Sequence, residues 1–247
     1  MSTLSPSERT TLRRHSDRGL SDRAALLGLL DEALICHLGV VIDGAPVVLP
    51  TAFGVDPDGP DLDGTVYLHG SVAARSLRSG LSSDLCVTVT QLDGLVLARS
   101  AFHHSMNYRS AVIMGSGRLV DEEQEKVRAL DLIVDHVVPG RAAALRPHLR
   151  KELAATVVVA VSLHEASMKQ RVGDPVDDGA DIAAGGWAGV VPLGVTAARV
   201  STSADAGGVE VPDHVSRRAT ALGLTAAHEA SAVSCPPAPW PQPSAPS

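Results

Sequence analysis

Between Asp84 and Ser110 the chain reads DLCVTVTQLDGLVLARSAFHHSMNYRS. Asp84–Gln91 is a β-branched run, the composition of a half-buried strand. Asp93-Gly94 is a two-residue turn signal, and Leu95–Phe102 (LVLARSAF) is apolar enough to return as a second strand. A polar loop, His103–Asn107, follows, and a long strand is expected from Tyr108 to about Val120. Strands joined by short turns favour antiparallel pairing, and the flanking sequence repeats the theme.

Upstream, Ser21-Asp22 reads as a helix start, and Ala24, Leu27, Leu30 and Leu34 follow at helical spacing, so a helix is expected over 21–34. His37–Ile42 and Ala45–Phe53 are strands around an Asp43-Gly44 hairpin, with Pro50 marking an edge or bulge. Asp56–Gly64 is loop, Thr65–His69 a short strand, and Val72–Leu81 a short helix bearing Arg75 and Arg78. Downstream, Val127, Leu130, Ile133, Val134 and Val137 give Asp121–Val138 one apolar helical side, which Pro139-Gly140 ends. Glu152 belongs to a shorter helix ahead of the apolar strand Thr156–Leu163. Six or seven strands without βαβ alternation predict a mainly β fold with peripheral helices. A closed antiparallel barrel is expected, with a sandwich as the competing arrangement.

Composition narrows the function. The chain has 247 residues, 45% of them hydrophobic, enough for a substantial core, yet only 2% are aromatic. Few side chains are available for base stacking, and a net charge of −7 argues against a nucleic-acid partner. Cys36, Cys86 and Cys235 have no paired spacing and read as reduced thiols of a cytoplasmic protein. No signal-like or membrane-spanning run is expected. Dinucleotide, P-loop and zinc-helix motifs are missing, and Gly115-Ser116-Gly117 is too short for a nucleophile elbow. Of the ten histidines, the adjacent His103 and His104 would point to opposite faces of a strand, so no structural metal site is expected.

In domain terms, residues 1–20 are a polar arm, 21–200 one domain, and 201–218 its C-terminal segment. The Ala- then Pro-rich 219–247, with Trp240, reads as a disordered tail. Two polar clusters stand out. His69-Gly70-Ser71, followed by Arg75-Ser76, suits an anion at a helix start; ordinary capping by Ser71 with a solvent-facing Arg75 fits equally. Ala98–Ser110 carries more hydrogen-bonding groups than a turn requires, which suits a binding site or a dimer contact.

The string LDGLVLARSAFHHSMNYRS (92–110) resembles a signature of pyridoxamine 5′-phosphate oxidase-related flavoproteins of the nitroimidazole-reductase (Nim) type. The resemblance extends through VYLHGSVAARSLR, GSGRLV, KELAAT, EASMKQRVGDPVDD and WAGVVPL, about residues 8–195. Ser167-Met168-Lys169 departs from a SAK-like segment but keeps the lysine. The resemblance implies a six-stranded split β-barrel that forms a homodimer, with FMN in each of two clefts between subunits. It places Pro50 and Thr51 at the isoalloxazine edge and His69, Gly70, Ser71, Arg75 and Ser76 at the phosphate. Tyr108, Arg109 and Ser110 come from the second motif, across the subunit interface. His69 is the first candidate for a catalytic, proton-handling group. The implied activity is FMN-dependent electron transfer to a small-molecule acceptor such as a nitroaromatic. Two alternatives are a deazaflavin in place of FMN, and haem, with His37, His69, His103 or His104 as axial ligand. A dimeric binding module without catalysis is a third.

Overall fold

Asp43 and Gly44 both adopt positive φ, 52° and 77°, and close the expected hairpin between β2 (Cys36–Ile42) and β3 (Ala45–Thr51). The computed structural model describes residues 3–4 and 7–223; Cys235, Trp240 and the rest of the Ala/Pro-rich stretch from 224 lie outside the described residues. The chain divides into two units, Met1–Gly194 and Val195–Ser247.

In the first unit, β1 (Gly19–Leu20) and α1 (Arg23–Glu32) precede the hairpin. Asp22 caps α1 by accepting the Ala24 N–H at 3.0 Å, and Leu26, Leu29 and Leu30 are its buried stripe. After the hairpin come β4 (Phe53–Asp56), β5 (Thr65–Ser71) and α2 (Arg75–Ser82). Next are β6 (Asp84–Leu97), β7 (Ser105–Ser116), β8 (Arg118–Leu119) and α3 (Glu123–Val137). α4 (Arg150–Ala155), β9 (Thr156–Ser162), β10 (Ala166–Arg171), α5 (Gly179–Ala184) and β11 (Gly189–Pro192) complete the unit.

The strands form two antiparallel sheets: one of seven, β1-β10-β7-β6-β2-β3 with β11 also on β6, and one of four, β4-β5-β9-β8. The barrel is thus split, and its core lies between the sheets. Leu38, Val40, Val87, Val89, Ala111 and Ile113 come from the large sheet and meet Phe53, Val66, Leu68, Val159 and Val161 from the small one. A second core, Tyr67, Val158, Ala160, Ala129 and Ile133, fills the space between the small sheet and α3.

Four strand expectations need correction. Ala45–Phe53 is interrupted at Ala52, because Thr51 still pairs with Cys36 in the large sheet while Phe53 already pairs with Leu68 in the small one. Asp93-Gly94 is not a hairpin turn. β6 continues for 14 residues along β7, with a register shift between Leu92 and Gly94. The pair instead forms a β-bulge: the Asp93 carboxylate accepts from Arg109 of β7 at 2.8 and 3.0 Å. A Cβ on Gly94 would lie 3.1 Å from Val190, so glycine lets β11 pack close. The chain reverses at residues 98–104, and β7 begins at Ser105 rather than Tyr108. Finally, β10 and β11 are strands where residue patterning had placed none.

The described part of the second unit holds a 3-10 turn (Ala204–Ala206) and α6 (Asp213–Ala221), with the Ala197 N–H donating to Leu222 O at 2.8 Å.

Candidate functional site

The β5–α2 turn was expected to cradle a phosphate. Three of its backbone donors are engaged within the chain. Val72 N–H donates to Ala155 O (3.2 Å), Ala73 N–H to Ser71 Oγ (3.2 Å) and Ala74 N–H to Ser71 O (2.8 Å). Arg75 is paired with Asp43 at the tip of the β2–β3 hairpin, its side chain 67% exposed. Gly70 serves packing: a Cβ there would lie 2.8 Å from Leu77, so glycine lets α2 close over β5. Ser76 is half-buried.

His69 parts company with these neighbours. Alternation along β5 puts Val66 and Leu68 in the main core and Tyr67 in the core under α3, so His69 shares the α3 face with Tyr67. It pairs with Val158 of β9. Its Nδ1 is buried and has no hydrogen-bond partner. Burial also pushes the imidazole's pKa below the ordinary histidine value, favouring the neutral ring. A shielded nitrogen without a partner within the chain leaves a place for a water, an ion or a cofactor to satisfy.

The second cluster divides between scaffold and surface. Arg99 donates to Asp177 through its backbone N–H and its guanidinium, both at 2.8 Å, and to Gly186 O at 3.1 Å. Asn107 donates to Gly173 O at 3.1 Å. These bonds fasten the segment 172–193 over the end of the β6–β7 ribbon. Arg109 is held by Asp93 and Glu32, and those two carboxylates raise its pKa. Much of the polar excess in this motif is therefore structural.

Tyr108 and Ser110 sit differently. Ala111 and Ile113 of β7 face the core, so Tyr108 and Ser110 belong to the outer face of the large sheet. Pro50 and His37 share that face, paired with each other and with Thr88 beyond. Thr51 pairs with the core residue Cys36 and belongs to the inner side. Seven residues of strand separate Pro50 from Asp43, where Arg75 is anchored, a span of roughly 20 Å at about 3.3 Å per residue. Within one chain, Pro50 and Arg75 therefore do not meet.

The remaining haem-ligand candidates are distinguishable. His37 is exposed. His103 Nε2 lies 3.4 Å from Asp178, and His104 Nδ1 is 2.8 Å from Ser100 O. His136, His148 and His164 are hydrogen-bonded to Ala33 O, Asp131 and Asp63. Among the described residues no cluster of histidine, cysteine and carboxylate side chains could hold a metal ion.

One group of residues was part of the resemblance but was given no role in the motif reading. Lys169 pairs with Ser110 and Arg171 with Tyr108 across β10–β7. The alternation of Ala166 and Met168 with Ser167, Lys169 and Arg171 was the available signal, visible once EASMKQR is read as a strand.

A family model described as pyridoxamine 5′-phosphate oxidase matches residues 22–170, more than half of the chain. The chain belongs to the pyridoxamine 5′-phosphate oxidase-like split-barrel family. Within it, the flavocytochrome Anf3 from Azotobacter vinelandii is 35% identical, covers 87% of this chain and 98% of its own, and superposes with a TM-score of 0.79. The FAD and haem binding protein from Mycobacterium smegmatis is 38% identical over 81% of this chain and 97% of its own, with a TM-score of 0.75. A 5-nitroimidazole antibiotic resistance protein from Bacteroides thetaiotaomicron shares the fold at 22% identity, over 61% of this chain and 85% of its own, with a TM-score of 0.50. No curated protein matches. Among the described residues no helix is long and apolar enough to cross a membrane.

Proposed function

We propose that this member of the family is a redox protein that binds both a flavin and a haem, with FAD as the flavin. The observation that carries the reading is His69, whose buried Nδ1 lacks a partner and whose ring is biased to the neutral form. Neutral imidazole is the form that ligates iron. The similarity to a flavocytochrome and to an FAD and haem binding protein, each above 30% identity, supports treating the cofactors as companions rather than alternatives. When bound, the flavin supplies two-electron and the haem one-electron chemistry. The chain's own residues would bind and orient them: His69 would hold the haem iron, and Pro50, Tyr108 and Ser110 would line the flavin.

The outer face of the large sheet supports a homodimer. Val41 and Val48 are 51% and 65% exposed there, beside a groove of about 320 Å³ lined by Gly39, Pro46, Cys86 and Met114. A second copy on this face would bury it and close a cleft over Pro50, Tyr108 and Ser110.

The test is an absorption spectrum of the protein purified without added cofactor, then titrated with haem and with FAD. A Soret band together with flavin bands is expected. His69→Ala should remove the axial-ligand signature of the haem, added imidazole should restore it, and flavin binding should persist. A haem spectrum identical in wild type and His69→Ala would overturn the assignment.

A further inference from the structure

A flavin dinucleotide carries a diphosphate, and at the turn expected to receive a phosphate the Val72, Ala73 and Ala74 N–H groups are hydrogen-bonded and Arg75 pairs with Asp43 on the surface. The cations of the first unit therefore divide into those with carboxylate partners and those without. Arg9, Arg75, Arg99, Arg109, Arg118, Arg128 and Arg146 are all ion-paired. Arg13, Arg78, Lys126, Arg150 and Lys151 form no ion pair among the described residues, and on one edge of the large sheet two more such cations, Lys169 and Arg171, lie two residues apart on β10. Lys169 donates to the Arg14 carbonyl at 3.1 Å, and Arg171 donates to the Asn107 side-chain oxygen and to the carbonyls of Gly173 (3.2 Å) and Asp174 (3.1 Å). All four acceptors are neutral, so both charges are held in place without being neutralised.

The N-terminal arm adds to this edge. β1 pairs Gly19 with Lys169, which brings Arg18 alongside, and the Arg14 carbonyl sits on the Lys169 ammonium. Neither Arg14 nor Arg18 forms an ion pair among the described residues. In a chain of net charge −7, four cations along one edge, Arg14, Arg18, Lys169 and Arg171, favour an anion there over the neighbouring carboxylates Asp17 and Asp174. It also adjoins the expected flavin residues, since Lys169 pairs with Ser110 and Arg171 with Tyr108.

We infer that Lys169 and Arg171, on the edge that β10 forms with the arm, bind the diphosphate of the flavin dinucleotide. A guanidinium already fixed by neutral acceptors loses little freedom on meeting a phosphate, and its planar fork matches two phosphate oxygens. The inference rests on the flavin reading above.

The experiment is equilibrium binding of FAD, FMN and riboflavin, followed by flavin fluorescence, to wild type, Lys169→Gln, Arg171→Gln, Arg171→Lys and Arg75→Ala. Lys169→Gln and Arg171→Gln should each weaken FAD at least tenfold and leave riboflavin, which has no phosphate, unchanged. Arg171→Lys should recover part of the loss, and Arg75→Ala should have little effect. FAD affinity in wild type should fall steeply with salt. If Arg75→Ala weakens FAD while Lys169→Gln does not, the diphosphate sits at α2 and the inference is overturned, though the flavin reading stands. Equal losses for riboflavin and FAD in Arg171→Gln, with a lowered melting temperature, would mark Arg171 as a fastener of the 172–193 segment, leaving Lys169→Gln to decide. If wild type binds no flavin, the reading fails and the inference with it.

Discussion

The two sheets share a core but treat their outer faces in opposite ways. Over the small sheet, α3 packs so closely that a Cβ on Gly54 would lie 2.9 Å from Ile133 N and 3.0 Å from the Leu132 carbonyl carbon. Over the large sheet, a Cβ on Gly39 would meet the Cys86 carbonyl oxygen at 3.5 Å, an ordinary contact. The small sheet's polar groups on this side are locked together. The Tyr67 hydroxyl donates to Glu125, while Arg118 bridges Glu125 and Asp61. The large sheet leaves valines in solvent and, at its β10 edge, cations without carboxylates. One face is covered by α3, and the other leaves Val41 and Val48 exposed.

The matched glycines give the sharpest way to break this contrast. Gly54→Ala should destabilise the first unit by about 1–3 kcal/mol, because the atoms it strikes are backbone and α3 must shift. Gly39→Ala should leave monomer stability within about 0.5 kcal/mol, as for a surface substitution. Urea unfolding of both variants reads the difference; similar losses would mean that the large sheet's face is also closed by the chain itself.

Next in size is the network under α3. Tyr67→Phe removes one hydrogen bond to a charged acceptor that keeps Arg118, and should cost about 1 kcal/mol. Hydrogen bonds from Arg118 hold the Asp61 and Glu125 carboxyls below the usual carboxylate range. Such groups contribute stability that is present above their unfolded pKa values and is lost as pH falls through the depressed folded ones. Arg118→Gln should therefore move the acid-unfolding midpoint to higher pH. An unmoved midpoint would show that other contacts set the two carboxylates.

On the open face the expected stability effect is smaller still. Val48→Asp should change the monomer's unfolding by about 0.5 kcal/mol or less while shifting the sedimentation equilibrium toward monomer. Flavin affinity should fall with dimerisation, since Pro50, Tyr108 and Ser110 share that face. A dimer that survives Val48→Asp places the partner surface elsewhere.

The same contrast explains what was legible in the sequence. α1, the β2–β3 hairpin and α3 were readable because each is set by local spacing and a clear terminator: Asp22, Asp43-Gly44 and Pro139-Gly140. Asp93-Gly94 misled because a turn signal is local, whereas the bulge is set by Arg109 sixteen residues away and by β11 some hundred residues on. In the candidate site, the resemblance marked Tyr108, Ser110 and His69 as neighbours in sequence motifs. It could not show that Arg75 and Arg109 would be taken by Asp43, Asp93 and Glu32, partners remote in the chain. Lys169 and Arg171 lay within the resembling segment EASMKQR, but their places beside Ser110 and Tyr108, held by neutral acceptors, only three dimensions reveal.

His69 carries the smallest and most specific expectation, because it lies on the α3 side of β5 with its Nδ1 buried and without a partner in the chain. Its folded-state pKa is depressed by burial, so the unfolded chain takes up the proton first as pH falls. Above the unfolded value of about 6.5 both states are neutral and His69 contributes no pH dependence. Below it, stability should decline until the depressed folded pKa is passed, then level off. His69→Gln should flatten this part of the profile in the cofactor-free protein and leave the carboxylate-driven loss at lower pH in place. A haem bound through His69 should steepen it, because protonation then has to displace the iron. If the profiles of wild type and His69→Gln coincide with and without haem, the buried nitrogen is neither a titrating liability nor a ligand, and the case for a cofactor at the end of β5 loses its physical basis.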